Sequence, residues 1–188
     1  MSILFLVIIV VTVVYSVMTY NSLVNVKHNI EKAWSNIEVV LKQRHDELPK
    51  LVDTCKHYMK HEQETLEKVI AARSRVLEAQ NTHDVAALGV AESTLRAGLG
   101  HLFAVAENYP ELKADEHFRN LQLRISALEN QIADRREFYN DSVNINNVRV
   151  EQFPDLVVAK LFNFERAALL QFSHAELKDI DIGKQFNV

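Results

Sequence analysis

No charged side chain occurs between Met1 and Val26, and the stretch from Ile3 to Met18 is almost wholly Leu, Ile, Val, Phe and Met, relieved only by Thr12, Tyr15 and Ser16. At 1.5 Å per helical residue, such a run reaches across a hydrocarbon layer of about 30 Å once Thr19 to Val24 are counted into the far interface. Tyr15 and Tyr20 then fall near the headgroups, where amphipathic rings are favoured. A cleaved signal peptide is the competing reading, but no basic segment precedes the apolar run and no small-residue cleavage pattern comes after it. The sequence therefore predicts a retained single-pass anchor over residues 1–20. Lys27 and Lys32 lie beyond the span with no basic residue before it, an asymmetry too weak to fix which side the remainder faces.

Beyond the anchor the chain is patterned as helix. Apolar or small residues recur at Leu23, Val26, Ile30, Ala33, Ile37 and Val40, the alternating three-and-four spacing of a coiled-coil-like packing seam. The spacing slips just before Pro49 and resumes as Leu48, Leu51, Cys55, Tyr58, Glu62, Thr65, Val69, Ala72 and Val76. Pro49 should therefore bend the helix without ending it. Read this way, residues 21–80 form one helix of about 90 Å. The turn-forming run Asn81-Thr82-His83-Asp84 breaks it. A second helix carries Val85, Leu88, Glu92, Leu95, Leu99, Leu102 and Ala106, with Gly98 and Gly100 offering room for a close neighbour, and Tyr109-Pro110 closes it. A third starts near Asp115, carries Phe118, Leu121, Ile125, Leu128, Ile132 and Tyr139, and stops before Phe153-Pro154. Short links between amphipathic helices require antiparallel packing. The predicted fold is all-α: an anchor helix continuing into a long antiparallel bundle of three to four helices over 21–153. The last segment, 154–188, is apolar at least from Asp155 to His174 and is expected to act as a bundle cap, fourth helix, or contact with membrane or another subunit.

Composition agrees with this. Among 188 residues there are only 4 Gly and 3 Pro, and the net charge of −4 comes from mixed charges with no basic footprint for nucleic acid. The lone Cys55 lies within a helical pattern, where a small buried side chain is its ordinary role.

Several stretches, in this order and spacing, resemble the LemA family. They are Tyr20-Asn21-Ser22-Leu23-Val24, Ala33-Trp34-Ser35, Arg44-His45-Asp46-Glu47-Leu48-Pro49-Lys50-Leu51-Val52, and His61-Glu62 ahead of Leu66-Glu67. Glu107-Asn108-Tyr109-Pro110-Glu111-Leu112-Lys113, Arg135-Arg136-Glu137-Phe138-Tyr139-Asn140 and Gln152-Phe153-Pro154 complete the set, which covers roughly 20–164. Where the family has a second Tyr-Asn after Tyr139-Asn140, this chain has Ile145-Asn146, a change expected to weaken one aromatic contact. The resemblance implies a membrane-anchored bundle in the bacterial inner membrane, from a family largely without assigned activity. Some of its members are tied to membrane-organelle formation or found beside membrane proteases.

Chemistry is hard to find. His57 and His61, four apart with Glu62 adjacent, could share a metal on one helical face, but Lys56 and Tyr58 flank His57 and no third ligand converges. Acidic residues mostly have a base three or four positions away, as expected of surface pairing. No nucleophile elbow or phosphate-cradling loop occurs. The polar residues that stand out are Trp34, Arg44, Asp46, Pro49, Tyr109, Pro110, Arg135, Arg136, Tyr139 and Asn140. Arg44 on the first seam and Arg135 on the third are expected to join a buried network with Asp46 or Glu92, because an unpaired buried charge is costly. No catalytic residue, cofactor, metal or small-molecule substrate is assigned. The expected function is a membrane-anchored, homo-oligomeric scaffold that binds partners. The alternatives are an accessory subunit of a membrane protease or envelope-stress system, and a metal-dependent enzyme built on His57, His61 and Glu62.

Overall fold

The computed structural model describes residues 2–172, of which 85% are helical, with no strand among them. The helices run in the order α1 (Ser2–Tyr58), α2 (Gln63–Asn81), α3 (Val85–Ala106), α4 (Pro110–Ala114), α5 (Glu116–Glu151) and α6 (Asp155–Leu161). The apolar run and the first seam share α1 without a break, and Pro49 sits inside that helix. By packing, the described residues form two units, 2–39 with 132–169 and 40–131 with 170–172.

The expectation of one helix over 21–80 is overturned. The chain leaves the helix after Tyr58 and reverses through Met59–Glu62, so that α2 lies back along the 40–58 part of α1. Arg73 Nε on α2 donates to the carbonyl of His45 on α1 at 3.0 Å, a contact possible only after that reversal. Glu62 caps α2 without a side-chain bond, and no Gly or Pro marks the turn. The reversal is driven by tertiary burial: Leu66, Val69, Ala72 and Val76 are at most 4% exposed, and a continuing helix would leave them in solvent.

The next turn is locally encoded. His83 takes the left-handed conformation (φ 53°), and the amides of His83 and Asp84 donate to the carbonyls of Gln80 and Ala79, which closes α2 with a double C-terminal cap. The Asp84 carboxylate then accepts from the amide of Ala87 at 2.9 Å and starts α3. At the start of α5, Asp115 accepts from the amide of Phe118 at 3.0 Å and from the hydroxyl of Tyr58 at 2.9 Å. These bonds, the Phe118 amide first, hold its carboxyl below the usual Asp range. A depressed carboxyl contributes stability above its ordinary pKa and loses it as pH falls through the folded value. Asp115→Asn keeps a capping oxygen but cannot titrate. Thermal melts across the acid range should therefore show the natural chain losing stability that the Asn variant retains.

In the second unit, Leu48, Leu51, Cys55, Leu88, Leu95, Leu102, Phe118 and Ile125 are almost fully buried. Cys55 is 0% exposed, and burial pushes its thiol up to about 12. Since the thiolate is the nucleophile, Cys55 in the folded chain should react with a thiol reagent only as fast as the bundle opens. Modification of the native protein at the rate of a free thiol would contradict this.

The first unit pairs α1 with the second half of α5. Leu23 packs with Val150, Val158 and Ala159, with Phe164 against them, so α6 lies on this pair. Among the described residues the expected fourth helix is present only as the seven residues of α6. Asn163 at φ 55° ends it, with the Phe164 amide donating to Ala159 at 2.9 Å. From there to Phe172 the chain is a non-helical strap. His174 and the remainder of the apolar tail lie outside the described residues.

Candidate functional site

The most buried charge in the second unit is Arg44, at 1% exposure. It donates to Glu92 on α3 and, at 2.6 Å, to Glu129 on α5, and Arg96 reaches the other Glu129 oxygen at 3.3 Å. Two arginines thus face two carboxylates. Burial alone would lower the Arg44 pKa, but the charges and hydrogen bonds of the two glutamates outweigh it and hold the guanidinium above its ordinary value. Burial pushes the Glu92 carboxyl up, against the pull of Arg44. The two shifts point opposite ways for the ion pair. The arginine decides the matter: it cannot shed its proton, and its contact with Glu92 keeps the pair ionic. Among the described residues Arg44 Nε finds no acceptor, at a cost of about 1–3 kcal/mol. The network joins α1, α3 and α5 through charged side chains.

In the first unit the side chains of α5 hold the strap. Asn147 donates to the Ala167 carbonyl at 3.0 Å and accepts from the Ala167 amide at 2.9 Å, standing in for a neighbouring strand. Asn146 donates to the Glu165 carbonyl and the buried Tyr139 hydroxyl to that of Ala168, each at 3.0 Å. These bonds satisfy a backbone that has no ladder of its own. The Tyr139 ring also meets Trp34 at 5.5 Å, and the Trp34 indole donates to Glu38 at 2.8 Å. Arg149 grips Asp155 through two nitrogens, at 2.7 and 2.6 Å, and also donates to Ser22. In the second unit the strap crosses α3 so tightly that a Cβ on Gly89 would stand 2.0 Å from the Gln171 carbonyl oxygen. Phe172 lies beneath the Arg96 guanidinium at 5.9 Å.

The predicted residues divide accordingly. Trp34 and Tyr139 meet, and Arg44 finds Glu92 as expected. Asp46 is exposed and takes no part in the network; Glu129, which the sequence did not single out, fills that place. Arg135 is also exposed: it flanks the α5 stripe, and its length lets the charge reach water at no burial cost. Arg136 and Asn140 are half-buried, and Pro110 is exposed at the first position of α4. Tyr109 donates to Glu62 at 3.4 Å. Gly98 and Gly100 are not the points of close approach, since a Cβ on Gly98 meets Val69 at an ordinary 3.6 Å and one on Gly100 meets nothing within 4 Å. Ile145, 53% exposed, faces outward, so its replacement of an aromatic residue costs no core contact. Asn146, Asn147 and Arg149 are absent from the residues expected from sequence, although adjacent asparagines inside a helix, where they are poor formers, are a usable signal.

His57 ends α1 while His61 lies in the turn beyond, so the shared helical face that a metal pair needs does not form. Among the described residues no group of three or more His, Cys, Asp or Glu is placed to hold a metal. The concave surfaces are open. A groove of about 600 Å³ in the first unit includes Tyr20, Lys27, Glu31, Phe162 and Phe164 in its lining. One of about 380 Å³ between α2 and α3 is floored by Ala71, Ala72, Ala97 and Gly98.

Known proteins resemble this chain in sequence. The model of the LemA family matches residues 33–183. Protein LemA of Metamycoplasma hominis is 28% identical over 89% of this chain and 75% of its own length. Magnetosome protein MamQ 2 of Paramagnetospirillum magneticum is 23% identical over 82% of this chain, which spans 65% of that relative's length. Magnetosome protein MamQ of Magnetospirillum gryphiswaldense is 23% identical over 79% of this chain and 63% of its own length.

Proposed function

The chain belongs to the LemA family, and on that premise we propose that it is a membrane-anchored helical scaffold that binds partner proteins and its own copies and has no catalytic activity. The observation that carries this reading is the surface of α1. Its large apolar side chains from Ile3 to Met18 are 46–81% exposed, whereas the same helix buries Leu23, Ala33 and Ile37 against neighbours. Among the described residues α1 is the one helix long and apolar enough to cross a membrane. Leaving that segment in water forfeits on the order of 20 kcal/mol of transfer free energy, which a bilayer supplies.

Buried charges that close on one another, and grooves open along their length, support binding over catalysis. The relatives named as magnetosome proteins carry a name that describes a component, which supports the same reading. Exposed Val90, Leu123 and Val39, each more than half accessible, support self-association. Membrane fractions of cells producing the full chain test the anchor. The protein should resist alkaline extraction, and a variant lacking residues 2–18 should be released; release of the full chain overturns the reading. Light scattering in detergent tests self-association, which a strict monomer removes. Cross-linking in native membranes that gave one dominant unlike partner would favour an accessory subunit of another membrane complex.

A further inference from the structure

We propose that α6 is a second membrane contact, lying in the lipid interface beside the end of the anchor; this rests on the reading of α1 as a membrane anchor. A shortfall in length motivates it. Ile3 to Met18 is 16 residues, about 24 Å of helix, short of the roughly 30 Å of a hydrocarbon core. The missing turn is Thr19–Ser22, and α6 is fastened at that level. The Tyr20 ring meets Phe162 at 4.7 Å in a tilted contact and Phe164 edge-on at 5.7 Å. Leu23 packs on Val158 and Ala159, and Arg149 ties Asp155 and Ser22 together.

Held there, α6 buries one face and leaves the other apolar and open. Asp155, Val158 and Ala159 are at most 6% exposed, while Val157 is 60%, Leu161 73% and Phe162 52% exposed. Phe153, in the turn that leads into α6, is 81% exposed. Water is a poor neighbour for such a stripe. The stripe is anchored at Tyr20 and Leu23, in the turns that follow the exposed run Ile3–Met18 on α1, so a bilayer that holds the run reaches the stripe too. Lys160 on the rim of α6 has the reach to place its ammonium among phosphates while its stem stays with the acyl chains. Lipid is therefore the occupant that the placement selects: a protein partner would have to fit between this face and the headgroups.

Tryptophan depth quenching in the full chain tests this. Trp34 is the only tryptophan, so Trp34→Phe gives a silent background. Single tryptophans are then placed by Ile9→Trp in the apolar run, Val157→Trp and Leu161→Trp on α6, and Leu123→Trp on an exposed site of the second unit. All four positions are exposed, so the new ring need not enter the core. Phosphatidylcholine vesicles brominated near the carbonyl end of the acyl chain should quench positions 157 and 161 at least threefold more than 123, with blue-shifted emission. Lipids brominated deep in the chain should quench position 9 most. Quenching at 9 with none at 157 or 161 above the level of 123 overturns this proposal and leaves the anchor standing. No quenching at 9 overturns both. A blue shift at 157 that grows with protein concentration and ignores bromine assigns the face to another copy of the chain and also overturns it.

Discussion

Arg44→Ala is expected to destabilise the bundle by about 3–5 kcal/mol, because it strips the buried Glu92 of its direct ion-pair partner and leaves Arg96 as the one cation paired with Glu129. Glu92, only 2% exposed, cannot recover its hydration, and two ionised carboxylates in one dry site repel. The loss should appear as a lower denaturation midpoint with secondary structure retained up to the transition. The triple change Arg44→Met, Glu92→Leu and Glu129→Leu removes the three most buried charges together and leaves Arg96, whose side chain is 37% exposed, to water, and should be neutral or stabilising. If the network sets register, the triple variant should instead lose uniqueness, showing broadened amide resonances or mixed oligomers at undiminished stability. Equal destabilisation by the single and triple variants would show that packing around Arg44, not its charge, is what matters.

Gly89→Ala should destabilise, whereas Gly100→Ala should stabilise, although both glycines lie within α3. Helix propensity alone favours alanine at each by about 1 kcal/mol. At Gly100 nothing opposes that gain. At Gly89 the new methyl carbon would stand 2.0 Å from the Gln171 carbonyl oxygen, so the strap must lift or α3 must move. Overpacking of this kind costs about 1–3 kcal/mol, enough to reverse the sign. Lifting the strap also separates Phe172 from Arg96 and uncovers the buried Leu170, so limited proteolysis should cut near residue 170 sooner in the Gly89 variant. Stabilisation of both variants would mean that the strap does not press on α3.

These expectations show where the sequence is readable. The seam from Leu23 to Val40, the turn at Asn81–Asp84 and the start of α5 at Asp115 all carry local chemistry, either apolar spacing or a capping side chain. The reversal at Met59–Glu62 carries neither: the three-and-four spacing passes through it, and only the need to bury α2 decides it. Arg44 can be assigned a carboxylate partner from its place on the seam, but choosing among Asp46, Glu92 and Glu129 requires the helices to be in register. The strap is beyond periodicity altogether. Its partners are Asn146, Asn147 and Tyr139, and the pressure it exerts is visible only where Gly89 lacks a side chain.

The proposed scaffold depends on α1, which runs unbroken from the candidate membrane span into the bundle. Amide hydrogen exchange of the full chain in lipid nanodiscs reads this residue by residue. Slow exchange is predicted from Ile3 through the core turns of α1 near Cys55, with no fast window at Thr19–Ser22, where the proposed anchor ends and α6 packs. Rapid exchange across Ile3–Met18, or a break in protection at Thr19–Ser22, would contradict it.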